Sequence, residues 1–287
     1  MEIHQIPQLR EPVMILAFSG WNDAAEAATG AVSHILGSWT DPSLSVVPEL
    51  VAEVDSEEFY DFQVNRPMIS LDDSSNRLLT WPGTQIFALA LPHLPMDLII
   101  VRGVEPSMKW ISFTKDILDL ADDLEVSSII TVGSMLADAP HTRPIVVASS
   151  GSTPEVSKRL SVELSRYEGP TGILGAVIEA CVRRGVDAVS FWAAVPHYAS
   201  SSPSPKATLA LVNAIENFLD IDIPQGSLPE SAHSWQLEVD DLAQEDSEVA
   251  EYVKALEESK DSTKLPDVTG DEIAKELERF LRRQSGG

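Results

Sequence analysis

The chain has 287 residues, of which 44% are hydrophobic and 23% charged, and a formal net charge of −25. Those proportions fit a folded globule with one large core or two modest ones, not a disordered segment. The charge excludes a nucleic-acid binder, which needs clustered Lys and Arg to displace counterions from phosphates, and it repels anionic membrane surfaces. The longest apolar stretches, 13–18 and 86–91, are strand-sized and fall well short of the roughly 20 residues that cross a bilayer. The chain opens on Met1-Glu2 with no basic segment before an apolar one, so no signal peptide is expected and the expected location is cytoplasmic. The single cysteine, Cys181, excludes an intramolecular disulfide and lies in the apolar run 173–182, as a small core residue does. A reactive thiol there would need a cationic neighbour, for which Arg183 and Arg184 are the adjacent residues. The histidines (His4, His34, His93, His141, His197, His233) show no pair at zinc-site spacing, so neither metal nor cofactor is expected.

Residues 13–18 are continuously apolar and stop at Ser19-Gly20, as a buried strand does. Asp23 and Glu26 stand at capping-box spacing, Asp23 accepting from first-turn N–H groups and Glu26 reaching back. The Ala-rich segment behind them predicts a helix to about residue 36. Residues 46–54 predict a strand that Pro48 assigns to an edge or a bulge. Residues 59–68 are mixed, and 77–81 predict a short strand. The runs 86–91 and 97–102, separated by Pro92-His93-Leu94-Pro95, predict an antiparallel pair. Phe113, Ile117, Leu120, Ala121 and Leu124 recur at helical spacing from Trp110 onward. A buried strand is predicted over 129–132, ending at Gly133, another over 145–148, and a polar-faced helix over 154–166. Thr171 is expected to cap a helix that runs to Arg184 and stops at Gly185. Residues 188–195 form the last strand-like run. Pro205 opens a helix with Thr208, Leu211, Val212, Ile215, Phe218 and Leu219 on one side.

This alternation predicts a three-layer α/β core over residues 1–224, with a mixed, largely parallel sheet between helices. The composition shifts after Pro224: residues 229–287 carry 16 acidic and 7 basic side chains. Val249, Tyr252, Val253 and Leu256 recur at helical spacing, and so do Ile273, Leu277, Phe280 and Leu281, with a linker at 260–269. Residues 225–287 therefore read as an acidic helical extension. Its two apolar stripes need burial on the core, on each other or on another molecule, which makes them candidate partner-binding residues.

Several segments are candidates for chemistry. Gly20-Trp21-Asn22-Asp23 lies where a strand feeds a helix, a junction at which ligands collect in open α/β sheets. The alternative is a capped helix start with Trp21 packed beneath it. Gly133, Ser134, Asp138, His141 and Arg143 fall in one segment after a strand. A nucleophile reading would use Ser134, His141 and Asp138, but there is no Gly-x-Ser-x-Gly elbow, and Asp138 with Arg143 also reads as an ion pair that fixes a loop. Gly169-Pro170-Thr171-Gly172 opens a helix without phosphate-loop or dinucleotide spacing, and close packing through Gly172 and Gly175 accounts for it. His197 and Tyr198 end a strand, as an acid–base group and a stacking residue or as the anchors of a turn.

The same segments carry a family resemblance. The stretches GWNDAAEA at 20–27, EPSMKW at 105–110 and TVGSMLADAPHTR at 131–143 resemble the bacterial, actinobacterial-type branch of the proteasome assembly chaperone 2 family. So do GPTGILG at 169–175, WAAVPHY at 192–198 with PSPK at 203–206, and ELERFLRR at 276–283. The resemblance implies a phosphorylase/hydrolase-like α/β domain and a proteasome-related protein partner, since members elsewhere assist assembly of proteasome α-rings by protein–protein contact. Residues 283–287 do not form the hydrophobic-Tyr-any-residue tail by which some assembly factors dock, so docking by that route is not expected. The fold is shared with nucleoside phosphorylases and peptidyl hydrolases, and fold alone transfers no activity.

The expected function is that of a noncatalytic interaction or assembly factor that self-associates, with a trimer among the options. The alternative is a small-molecule-binding protein or nucleosidase/hydrolase-like enzyme with a pocket at the strand C-termini.

Overall fold

In the computed structural model, which describes residues 1–40, 46–200 and 203–262, a two-residue edge strand β1 (Glu2–Ile3) precedes the apolar run that becomes β2 (Val13–Ser19). Alternation along β2 sets the three layers. Val13, Ile15 and Ala17 point into one hydrophobic cluster, and Met14, Leu16 and Phe18 into another on the opposite face. A strand apolar on both faces is one covered on both faces.

The chain continues through α1 (Ala27–Gly37), β3 (Glu49–Glu53), the single turn α2 (Ser56–Phe59) and the hairpin strands β4 (Met68–Leu71) and β5 (Arg77–Thr80). Then come β6 (Thr84–Leu89), β7 (Leu98–Val104), α3 (Trp110–Asp123), β8 (Ser128–Ala137), β9 (Val147–Gly151), α4 (Pro154–Leu160) and β10 (Glu163–Leu164). The last elements described are α5 (Ile173–Arg184), β11 (Ala188–Pro196), α6 (Pro205–Leu219), α7 (Leu228–Glu245) and α8 (Ser247–Ser262). The strands form a nine-stranded sheet in the order β1-β3-β6-β7-β2-β8-β11-β9-β10, with β4-β5 as a separate pair. The centre, β7-β2-β8-β11, is parallel, while β6 joins β7 and β9 joins β11 antiparallel. The antiparallel pair predicted around Pro92 is β6–β7, and β3 carries a register shift between Leu50 and Ala52.

Helices α1 and α6 cover one face through residues such as Val32, Ile35, Leu211 and Ile215. Helices α3 and α5 cover the other through Phe113, Ile117, Leu174 and Val177. Phe113 meets Phe18 and Phe59 edge-to-face at centroid distances of 5.6 and 5.5 Å. Each such side chain contributes about 1.5–3 kcal/mol when fully removed from water, so two populated clusters hold the sheet firmly between its helices. Among the described residues, no helix is long and apolar enough to cross a membrane.

Several local expectations need correction. Glu26 does not complete a capping box: it is exposed at φ 52°, and Asp23 alone caps α1, through the N–H groups of Ala28 and Thr29. Strand β8 runs past Gly133 to Ala137, because a parallel ladder with β11 continues through that glycine. The helix predicted over 154–166 stops at Leu160, where Ser161 turns left-handed, and the chain then forms β10. Thr171 does not cap α5, whose N-cap is Gly172 without a side-chain bond. The sequence reading missed α7, although Ala232, Trp235, Val239 and Ala243 repeat at helical spacing and are its buried residues. Of the two helices expected in the extension, α8 carries the first stripe, and Ile273, Leu277, Phe280 and Leu281 lie outside the described residues.

Candidate functional site

Strands β2, β8 and β11 are parallel neighbours, so the segments that follow them emerge at one edge of the sheet. This is where open α/β sheets place ligand crevices. The singled-out residues divide there into two groups.

The first group surrounds Asn22, which is 2% exposed. Its Nδ2 donates to Glu105 Oε1 at 2.8 Å, and the same oxygen accepts the N–H of Ile173 in the first turn of α5, also at 2.8 Å. A Cβ at Gly172 would stand 2.3 Å from Asn22 Nδ2, so only glycine admits this approach. The Asn22 carbonyl accepts from the N–H of Ser134 at 2.8 Å, and Ser134 Oγ donates to the Ala24 carbonyl at 3.0 Å. Asp23, also buried, accepts from the N–H groups of Ala28 and Thr29 and from the Thr29 hydroxyl. Burial still pushes its carboxyl above the usual range, against those bonds. Gly133 lies against Trp192, and a Cβ there would come within 2.7 Å of the indole.

Asn22 and Gly172 border a cleft of about 1530 Å³, whose lining also includes Trp21, Trp192, Ser149, Ser190 and Tyr167. Trp21 is 66% exposed on a rigidly anchored loop, so the alternative that packs it beneath the helix start does not hold. The nearest helix N-terminus is answered by the Glu105 carboxylate, which leaves that donor unavailable to an anion.

The second group binds the C-terminal helices. His141 is 1% exposed. The Tyr198 hydroxyl lies 2.7 Å from both the backbone N and the Nδ1 of His141, and Nε2 lies 2.9 Å from Asp240 on α7. A carboxylate can only accept, so Nε2–H donates to Asp240, while the Tyr198 hydroxyl answers the other side of the ring and the backbone N–H. Burial pushes the Tyr198 phenol up to about 12. Lys206 donates to the His141 carbonyl and to Gln236, and burial lowers its ammonium pKa. Asp138 and Arg143 do not pair with each other: Tyr252 donates to Asp138 at 2.9 Å, and Arg143 bonds Glu257 at 3.1 Å and Asp261 at 2.7 Å, all on α8. His197 meets the Tyr252 ring edge-to-face at 5.3 Å.

The structure therefore places Trp21, Asn22 and Gly172 at the cleft, Gly133 beneath Trp192, and Asp23 and Ser134 in the frame behind them. It places Asp138, His141, Arg143, His197 and Tyr198 in a clasp on α7 and α8. Ser134 donates to a carbonyl, and His141 is engaged on both ring nitrogens. Val253 is buried, and Val249, Tyr252 and Leu256 are half-buried, so this stripe faces its own chain. Among the described residues no group of three or more His, Cys, Asp or Glu could hold a metal. Burial pushes the Cys181 thiol up to about 12, far from a thiolate. Asp240 and Glu257 escaped the sequence reading, and Glu105 entered it only as the first residue of the family stretch at 105–110, because nothing local marks a carboxylate whose partner is dozens of residues away.

The PAC2 family model matches residues 17–243. The chain belongs to the PAC2 family. A PAC2 family protein of Streptomyces avermitilis is 49% identical, with 84% of this chain and 99% of that one covered and a TM-score of 0.76. A proteasome-assembly chaperone homologue of Mycobacterium tuberculosis is 42% identical over 84% of this chain and 99% of its own, with a TM-score of 0.74. An archaeal proteasome activator, PbaB of Pyrococcus furiosus, shares the fold at 16% identity and a TM-score of 0.66, covering 84% of this chain and 96% of that one. No curated protein matches the chain. The PAC2 match begins within β2 and ends within α7, so it includes Asn22, His141 and Asp240. Helix α8, with Tyr252, Glu257 and Asp261, lies beyond it.

Proposed function

We propose that this PAC2 chain is a noncatalytic, cytoplasmic protein-interaction factor of the assembly-chaperone kind, acting on proteasome subunits and working as a homo-oligomer. One observation carries the reading. The side chains with chemical potential at the sheet edge, Ser134, Asp138, His141 and Arg143, each bond a backbone carbonyl, a tyrosine or a helix that they hold in place. Groups arranged this way build a surface: Ser134 and His141 are buried away from substrate, and Asp138, which lies 3.6 Å from His197, also accepts from the Tyr252 hydroxyl. Residues 1–224 form the α/β core in this reading, and 225–287 the acidic extension. The stripe of α8 faces its own chain, which leaves the outward acidic side chains of α7 and α8 to steer a basic surface of the client.

The experiment is native mass spectrometry of the purified chain mixed with bacterial proteasome α-subunits, with α-ring formation followed in parallel. A complex that weakens as salt rises, together with faster ring formation, is the expected result. Absence of any complex at micromolar concentrations of both proteins, at low salt, overturns the proteasome assignment.

A further inference from the structure

The pair β4–β5 joins no other sheet, and all eight of its residues are exposed. Its shape is nonetheless well specified. Four cross-strand pairs run from Met68↔Thr80 to Leu71↔Arg77. At the tip, Asp72 accepts from the N–H groups of Ser74 and Asn76 at 2.9 and 2.8 Å, and from Asn76 Nδ2 at 3.0 Å. At the base, Trp81 lies 4.7 Å from Phe62 between ring centroids.

This arm carries an unusual load of apolar side chains. Met68 is 69% exposed, Ile69 60%, Leu71 65%, and Leu78, Leu79 and Trp81 about half. Because cross-strand partners share a face, Ile69, Leu71 and Leu79 lie on one side and Met68 and Leu78 on the other. Together they expose on the order of 600 Å² of apolar surface, at the upper end of what a monomer normally leaves open. A lone two-stranded ribbon is marginal in water, and its unpaired edges invite further pairing.

We infer that this hairpin is the surface through which one copy of the chain binds a second copy. Charge selects the occupant. Each molecule carries −25, so two copies repel wherever acidic faces meet. Residues 64–81 hold two arginines, Arg66 and Arg77, against two aspartates, Asp72 and Asp73, and so have no net charge. A client drawn by the acidic surface has no need of such a neutral island, whereas like-charged copies need one to approach. A second copy that covers both faces of the arm would also bury an apolar area close to the roughly 800 Å² that each partner contributes to a standard interface.

This inference rests on the self-association proposed above, and the experiment separates the two. Sedimentation at micromolar concentration is compared for the wild type and for Ile69→Asp combined with Leu79→Asp, a single cross-strand pair. The wild type is expected at a multiple of 31.2 kDa. The double variant should sediment as the monomer, with an unchanged circular dichroism spectrum. Should it fail to fold, Ser70→Cys decides: Cys181 is buried, so the introduced thiol is the accessible one, and a bis-maleimide should join two chains through it. A wild-type oligomer that survives the double variant, or that Ser70→Cys does not cross-link when the double variant is unfolded, overturns the hairpin and leaves self-association standing. A monomeric wild type overturns both and assigns the hairpin to a different protein.

Discussion

Glu105 shows how one side chain can hold a site together. A single oxygen, Oε1, accepts from the amide of Asn22 and from the first turn of α5, tying the β2 loop to a helix far along the chain. Glu105→Ala leaves a buried amide and a backbone N–H without an acceptor, each costing about 1–3 kcal/mol. Glu105→Gln keeps an acceptor oxygen in the same place and is expected to lose much less. Urea unfolding of the three proteins measures the difference, and equal midpoints for Glu105→Ala and wild type would remove Glu105 from this role. The sequence marked Asn22, Gly133 and Gly172 as unusual because glycine and asparagine at strand–helix junctions carry a local signature. It marked Glu105 only within the family stretch at 105–110 and not for this role, since its bonding partners lie 83 and 68 residues away.

At the scale of elements, α7 and α8 are held by different physics. Helix α7 buries Trp235 and Val239 in a small cluster with Ala199, so packing fixes it. Helix α8 is held largely by Tyr252, Glu257 and Asp261 acting on the 138–143 segment. These are partly exposed pairs, and each such ion pair contributes only about 0.2–1 kcal/mol. Arg143→Ala is therefore expected to speed amide exchange across 247–262 while leaving the sheet and α7 as protected as before. High salt should act on the wild type in the same direction. Hydrogen-exchange mass spectrometry reads both effects, and unchanged protection of α8 in the variant would show that the clasp is incidental. Helical periodicity made α8 legible in the sequence, but not its seat: Asp138 and Arg143 invite pairing with each other, and the fold brings each a partner from a helix more than 100 residues away.

The whole molecule has a predicted alkaline limit. Burial pushes Cys181 up to about 12 from 9.0, and Tyr60 and Tyr198 up to about 12 from 10.0. Below the unfolded values both states keep these protons, and stability is undiminished. Between the unfolded and folded values the unfolded chain releases protons that the folded chain retains, so the unfolded state binds fewer and stability falls as pH rises. The urea midpoint should accordingly decline from about pH 9 towards pH 12. Cys181→Ala should flatten the earliest part of that decline whatever its own effect on stability at neutral pH. A midpoint independent of pH over that window would contradict the burial of these groups.

The sequence by itself determined the family and most of the elements of the α/β core. Apolar runs such as 13–18 and 86–91 bury both faces of a central strand or one side of an antiparallel neighbour, and helical stripes such as Phe113, Ile117 and Leu120 declare the layer they cover. Those signals are local, so they survive without knowledge of the fold. Only the tertiary structure decided what the polar residues at the sheet edge do. Parallel packing of β2, β8 and β11 brings three segments to one edge, yet contacts from α5, α7 and α8 divide them into a cleft and a clasp. It also decided that the strand predicted at 77–81 stands outside the main sheet, since the residues of β5 resemble those of a core strand and only the absence of a covering layer leaves them exposed.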